Sequence, residues 1–310
     1  MNPDLNKVID YTPIYTEEYK NDNNRAVFKN TISSMEPENI VVVTHGDIFH
    51  ADEILAIAVL IIAHRSTNVK IIRVHRKNLD ELSALEYVPT YEDIFNEVVS
   101  KQTSSTDRIF MVDCGRIFNN LWAFDHHQDK ELEAASSLVA KRFFNLYFMQ
   151  YHKEFFSRIS TIDCDTSKID GAERTTEFSN LIRNLNAGGE FGFTLALSMS
   201  IGVLKGMISE HVQFLITGDN YHDMIKAGNV RYSDELMETF KWQKYAETEG
   251  VKAIITRDRN NEDQYVLISR DTKEFVIPEG YNSVFRHNSG FMATYSNMED
   301  AMNAVNGGKI

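Results

Sequence analysis

Two cysteines in 310 residues, Cys114 and Cys164, are too few for a disulfide framework. Buried small thiols are expected at both positions. Positive charge is scarce as well. Lys and Arg number 32 against 45 Asp and Glu, a net charge of −13, which argues against a broad basic face for long duplex DNA. A short single strand or a compact phosphorylated metabolite is compatible with that balance. The longest apolar run, Ile54 to Ala63, falls well short of the roughly 20 residues that span a bilayer. Met1 to Lys20 is polar and lacks an apolar signal core, so a soluble, cytoplasmic chain without membrane partners is expected. Familiar catalytic signatures are also missing. There is no G-x-S-x-G elbow and no H-E-x-x-H helix. Gly188-Gly189-Glu190-Phe191-Gly192 lacks the Lys-Ser/Thr ending of a phosphate loop.

What the chain does have is apolar content sufficient for packed cores, 43% hydrophobic and 11% aromatic, over a length that suggests two domains. Residues 1–38 are polar and Asn-rich and read as a surface arm or cap. Ile40 to Thr44 is a β-branched run typical of a buried strand. A polar turn, a buried helix through Ala63 and a second strand, Val69 to Val74, complete a βαβ unit. Residues 78–106 look helical, Ile109 to Val112 is a third strand, and Trp122 to Phe124 a brief fourth. Helical spacing returns from Ser136 to about Ile162, where the aromatics at 143–151 read as core rather than as a base-stacking platform. Residues 165–190 read as a loop or partial boundary, then Phe191 to Ile216 and Ser233 to Glu247 as helices. Val251 to Thr256, Tyr265 to Ser269, Glu274 to Ile277 and Gly290 to Tyr295 read as strands before a last helix, Met298 to Val305. The fold class expected is α/β: a doubly wound, mostly parallel sheet followed by a smaller α/β domain.

Four segments place acids or histidines where apolar strands or helices end: Thr44-His45-Gly46-Asp47-Ile48-Phe49-His50-Ala51-Asp52-Glu53, Val112-Asp113-Cys114-Gly115, Asp125-His126-His127-Gln128 and Ile162-Asp163-Cys164-Asp165. Carboxyl ends of strands in an open α/β sheet face one crevice, so side chains far apart in sequence can converge there. Imidazoles with carboxylates suit Mn²⁺, Fe²⁺, Zn²⁺ or Mg²⁺, and several carboxylates favour the harder ions. Two such ions about 3.5–4 Å apart stabilise both attacking and leaving oxygens at phosphorus. Asp47 and Glu53 could touch such a site, but Asp47 reads also as a turn residue and Glu53 as an acid of the first helical turn. His64, His75, His152, His211 and His222 have no recognisable partner spacing and read as surface or core.

In this order the four segments resemble the DHH phosphoesterase superfamily. They are most similar to its MYG branch, the metal-dependent protein hydrolase and exonuclease family, which opens on a T-H-x-G-x-F-H-x-D-E type motif and follows Asp-His-His with Gln. Phe285-Arg286-His287-Asn288-Ser289-Gly290-Phe291 resembles the branch's late F-x-H-x-x-G-F element. The resemblance implies one ion on His45, His50 and Asp113 and another on Asp52, Asp113, His126 and Asp163, with Asp113 shared. Asp165 competes with Asp163 for the fourth-motif place. It further implies that His127 donates to the scissile phosphate, that Asp125 orients a neighbouring histidine, and that a water activated by both ions is the nucleophile. Arg286, His287 and Gly290 would bind substrate.

The function implied is metal-dependent hydrolysis of phosphodiester or phosphate ester bonds, 3′–5′ exonuclease-like, with Mn²⁺ or else Mg²⁺. Short single-stranded RNA or a small nucleotide is the expected substrate. The domains expected are 1–190, metal-binding and catalytic with the 1–38 arm, and 191–310, a helical connection and substrate-binding α/β domain. A homo-oligomer is compatible with all of this. The competing expectations are a non-catalytic nucleotide- or partner-binding module with a structural metal, and an amide or protein hydrolase using the same site.

Overall fold

The computed structural model describes residues 39–46, 48–65, 69–74, 91–94, 108–164, 178–237, 239 and 241–307. The chain forms two compact units, Met1–Ser209 and Glu210–Ile310. The division falls inside a long helix rather than at the Gly188-Gly189 pair. The arm expected at 1–38 lies outside the described residues.

The first unit is built on four parallel strands, β1 Ile40–His45, β2 Val69–Val74, β3 Arg108–Val112 and β4 Ala123–Phe124, in the order β2-β1-β3-β4. β1 is central, paired through Val41 to Lys70 on one side and to Ile109 on the other. Its unbroken β-branched run follows from that position, since both faces are covered and Ile40–Thr44 are all buried. Helix α1, Ala51–His64, is apolar around almost its whole circumference and almost wholly buried. It opens on a capping box, the Glu53 carboxylate accepting the His50 N–H at 2.6 Å. It ends at Arg65, in the left-handed region at φ 48°. Between β2 and β3, where a doubly wound sheet carries a helix on its second face, only α2, Tyr91–Ile94, is described. The remainder of the helix expected over 78–106 lies outside the described residues.

The single helix expected from 136 to 162 is three: α3 Ala135–Phe143, α4 Leu146–Tyr151 and α5 Lys153–Cys164. Asn145 breaks the run by taking extended backbone and accepting the Phe148 N–H at 2.8 Å, a cap that begins a new helix. His152 interrupts it again. The apolar rhythm survives both breaks, so Phe143, Phe144, Phe148 and Phe156 stay buried. The loop expected over 165–190 is helical where described, as α6 Phe178–Asn184 and a 3₁₀ turn, Leu185–Gly188.

Helix α7, Gly189–Asp223, follows. Residues 178–223 are long and apolar enough to cross a bilayer by length and composition, yet 56% of the most apolar window is buried inside the structure. Phe193, Ala196, Leu197, Leu204 and Ile208 pack as core. The buried hydroxyls of Thr194 and Ser200 are satisfied by donating to the carbonyls of Glu190 and Ala196.

The second unit carries β5 Ile225–Ala227, β6 Val230–Tyr232, α8 Gln243–Glu249, β7 Ala253–Arg257, β8 Tyr265–Ser269, β9 Ser283–Arg286, β10 Met292–Tyr295 and α9 Met298–Gly307. Its mixed sheet runs β5-β6-β7-β8-β10-β9, with only β6 and β7 parallel. The helix expected over 233–247 shrinks to α8, because the preceding segment bonds alongside β7 instead. Ser233 N–H reaches Ile255 O at 2.9 Å, and the Thr256 hydroxyl holds Glu235 O and Met237 N–H. Glu274–Ile277 is a turn and coil, not a strand. Phe275 and Ile277 are buried by a Ser269 hydroxyl bond to Phe275 O and an Ile277 N–H bond to Gly290 O.

Candidate metal centre

Parallel pairing brings the carboxyl ends of β1, β3 and β4 side by side. His45 is the last residue of β1, Asp113 follows β3, and Asp125 follows β4. Asp113 takes φ 54°, a left-handed conformation that Asp tolerates better than bulkier residues, and its N–H is held by Phe124 O at 3.0 Å. The N-terminus of α1 adds His50, Asp52 and Glu53, and the C-terminal end of α5 adds Asp163.

Among the described residues Asp113 joins three donor groups; besides one with Asp125, His126 and His127 there are two more. One is His45, His50, Glu53 and Asp113; the other is Asp52, Asp113, His126 and Asp163; in each, one ligand atom per residue lies within 4.8 Å of the others. His45 Nε2 is 3.2 Å from Asp113 Oδ2, and His126 Nε2 is 3.2 Å from both Asp113 Oδ1 and Asp163 Oδ2. Ligand atoms about 2.1 Å from a common ion lie about 3–3.5 Å apart, so these spacings are those of a coordination shell.

Burial sharpens the case. Asp113 Oδ1, His126 Nε2 and Glu53 Oε2 are buried and make no hydrogen bond, a costly arrangement for polar atoms. Hard and borderline divalent cations satisfy this mixture of imidazole and carboxylate, so the residues fit the group.

The protons of the cluster respond accordingly. Burial favours neutral forms, but Glu53 and Asp113 hold His45 well above the usual histidine range, and Asp113 and Asp163 do the same for His126. Burial would raise Asp113, yet the His126 and His45 imidazoles beside it keep it below the carboxylate range. Burial, with Asp163 and Asp113 nearby, drives Asp52 well up.

A surrounding layer fixes these groups. Asp125, fully buried, accepts from His127 Nδ1 at 2.7 Å, from His127 N–H at 3.1 Å and from Arg116 N–H at 2.6 Å. It therefore sets the orientation of the His127 ring. Burial lowers the His127 pKa, but the bond to Asp125 and the Asp113 charge leave it raised. Asp52 accepts the N–H groups of Ala135 and Ser136 at 2.9 and 2.8 Å, which ties α1 to the start of α3.

Three residues were not assigned to the site by sequence reasoning. Glu53 is a helix-start acid as expected, and it also lies 3.2 Å from His45 Nε2. Asn186 grips the loop between β1 and α1, accepting Phe49 N–H at 2.8 Å and donating to Phe49 O at 2.7 Å. Nothing local in sequence announces that clamp, since 137 residues separate the partners. Cys164, expected to be buried, is exposed, with Sγ 3.3 Å from His126 Nδ1; Cys114 is buried as expected. Asp47, Asp165 and His75 lie outside the described residues. His64, His152 and His211 are buried away from these groups.

Arg286, His287 and Gly290 belong to the second unit, where Arg286 ends β9 and His287 and Gly290 lie in the turn to β10. Arg286 Nε donates to Ile277 O at 2.8 Å, and Gly290 N–H donates to His287 O at 2.8 Å. Gly290 has φ +69°, and a Cβ there would come within 2.6 Å of Val276 and 2.8 Å of the Arg286 guanidinium. Glycine is required at that position.

No family model matches the chain, and no curated protein matches it. Among solved structures it is similar to PggH, a pGpG-specific phosphodiesterase from Vibrio cholerae, at 13% identity over 86% of this chain and 96% of that one, with a TM-score of 0.29. A likeness of that degree carries no weight for fold or activity.

Proposed function

We propose that this chain is a metal-dependent phosphoesterase of the DHH type, its motifs closest to the MYG branch, with a doubly wound catalytic unit. The observation that carries the reading is the pair of donor groups joined at the buried carboxylate of Asp113. His45, His50 and Asp113 would hold one divalent cation, and Asp52, Asp113, His126 and Asp163 the other. Mn²⁺ suits the mixture best, with Mg²⁺ the harder alternative. When bound, such a pair supplies an acidified water and neutralises charge on phosphoryl oxygens.

The protein's own groups do the rest. Asp125 holds Nδ1 of His127, which directs Nε2 as the donor to a phosphate oxygen. The raised pKa of His127 favours the protonated form of that donor. Asp113, held ionised by its histidines, is the carboxylate able to serve both ions at once. Arg286 and His287 are proposed phosphate contacts, with Gly290 shaping their turn. The substrate proposed is a short single-stranded RNA or small nucleotide, acted on in the cytoplasm, in keeping with the net charge of −13.

The test is turnover of a generic phosphodiester and of short oligoribonucleotides by the full chain loaded with Mn²⁺. Release of product only with metal present supports the proposal. A chain that binds Mn²⁺ and turns over none of these substrates overturns it.

A further inference from the structure

We propose that Glu53 is itself a metal ligand, completing with His45, His50 and Asp113 a set of two imidazoles and two carboxylates; the inference rests on the metal-centre reading above. The ordinary role of a Glu three residues past a helix N-cap is to close a capping box, and Glu53 does so through Oε1. That role leaves the rest of the carboxylate unexplained. Glu53 is 0% exposed, whereas a capping glutamate ordinarily sits at the surface with its second oxygen in water. Here Oε2 is buried and makes no hydrogen bond. Among the described residues the carboxylate pairs with His45, 3.2 Å from Oε1, and His50, 3.9 Å from Oε2. Both are donors of the same group. A buried carboxylate aimed at two imidazoles and a second carboxylate is stabilised by a cation among them.

Helix geometry explains how neighbours in sequence serve different ions. Successive residues of an α-helix project about 100° apart, so Asp52 turns toward His126 and Asp163 while Glu53 turns toward His45 and His50. One helix N-terminus thereby feeds both sides of Asp113. Capping and ligation also become a single device. The oxygen that binds the His50 N–H belongs to the carboxylate facing the His50 ring, so helix start and ligand loop are ordered together.

Mn²⁺ titration of the full chain tests this, read by calorimetry and by metal content after dialysis. Wild type is expected to take up two Mn²⁺. Glu53→Gln keeps an amide oxygen for the His50 N–H, so a mere cap survives the change, and a ligand does not. The expected result is one Mn²⁺ held at wild-type affinity and the other weakened tenfold or more, with His50→Ala plus Glu53→Gln losing no further ion. Two ions at unchanged affinity in Glu53→Gln would leave Glu53 as a cap only and overturn the inference. Should that variant fail to fold, Glu53→Asp, which withdraws the carboxylate by one methylene, is expected to show a smaller rise in Tm with Mn²⁺ than wild type; an equal rise counts against ligation. Failure of wild type to bind Mn²⁺ at all would instead remove the metal-centre reading, so the two failures are distinct.

Discussion

At the end of β3 the backbone enters the left-handed region at Asp113, and the side chain it presents is 2% exposed and faces His45, His126 and His127. Because this carboxylate belongs to both donor groups, Asp113→Asn is expected to lose both Mn²⁺ ions and at least about a hundredfold in phosphodiesterase rate. Metal content and turnover measured on one preparation check it. The cluster's protons give a second expectation. His45, His126 and His127 are raised, so their contribution to folding is full below the unfolded value of about 6.5 and is lost as pH climbs through their folded values. Raised Asp52 also works against the fold as pH rises above about 4, while lowered Asp113 contributes above about 4 and is lost in acid. The metal-free protein should therefore lose stability on going from pH 6 to pH 8. Cations displace the same protons, so stabilisation by Mn²⁺ should grow over that interval. Melting curves with and without Mn²⁺ at the two pH values decide it, and a constant difference would contradict the linkage.

Among elements, the loop between β1 and α1 matters most, because it joins His45 at the end of β1 to His50 at the start of α1. Asn186 replaces the missing ladder by pairing with both polar groups of the Phe49 backbone. The Phe49 ring packs edge-on against Phe193, at 5.6 Å between centroids. Asn186→Ala is expected to weaken the ion on the His45 and His50 side by about 10–100-fold, the usual cost of losing an outer support. The ion on the His126 side should be nearly unchanged, as stepwise Mn²⁺ titration would report. In the second unit, Gly290→Ala forces a Cβ into Val276 and Arg286 at a positive φ. A loss of about 1–3 kcal/mol in denaturant unfolding is expected.

For the molecule as a whole, the donors all lie in the first unit, Met1–Ser209. Each ion binding only the folded state adds about 2.7 kcal/mol at a hundred times its dissociation constant. Chelation is therefore expected to lower the unfolding temperature of that unit. Amide exchange in the second unit's own core, around Ile255, Leu267 and Tyr295, should respond little. Exchange measured with Mn²⁺ and with chelator separates the two. The charge of −13 has a consequence at this scale too, since cations held at the proposed centre would offset part of the repulsion among crowded acids.

The sequence by itself determined the strands of the parallel sheet and the residues at their ends. Ile40–Thr44 and Val69–Val74 could form little else, and period and β-branching act over a few residues, where sequence is directly readable. It also carried the six ligand candidates His45, His50, Asp52, Asp113, His126 and Asp163 as recognisable segments. Tertiary structure decided what depends on partners far along the chain. Asn145 ends a helix whose apolar spacing runs straight through it. The stretch after Ser233 abandons helix to bond beside β7. Phe275 and Ile277 are buried without a strand. Glu53 could be named an acid of a first helical turn from sequence, but only the arrival of β3 put Asp113 beside it and His45. Local propensity is set by neighbours within a turn or two, whereas an ion's shell is set by where distant backbones meet.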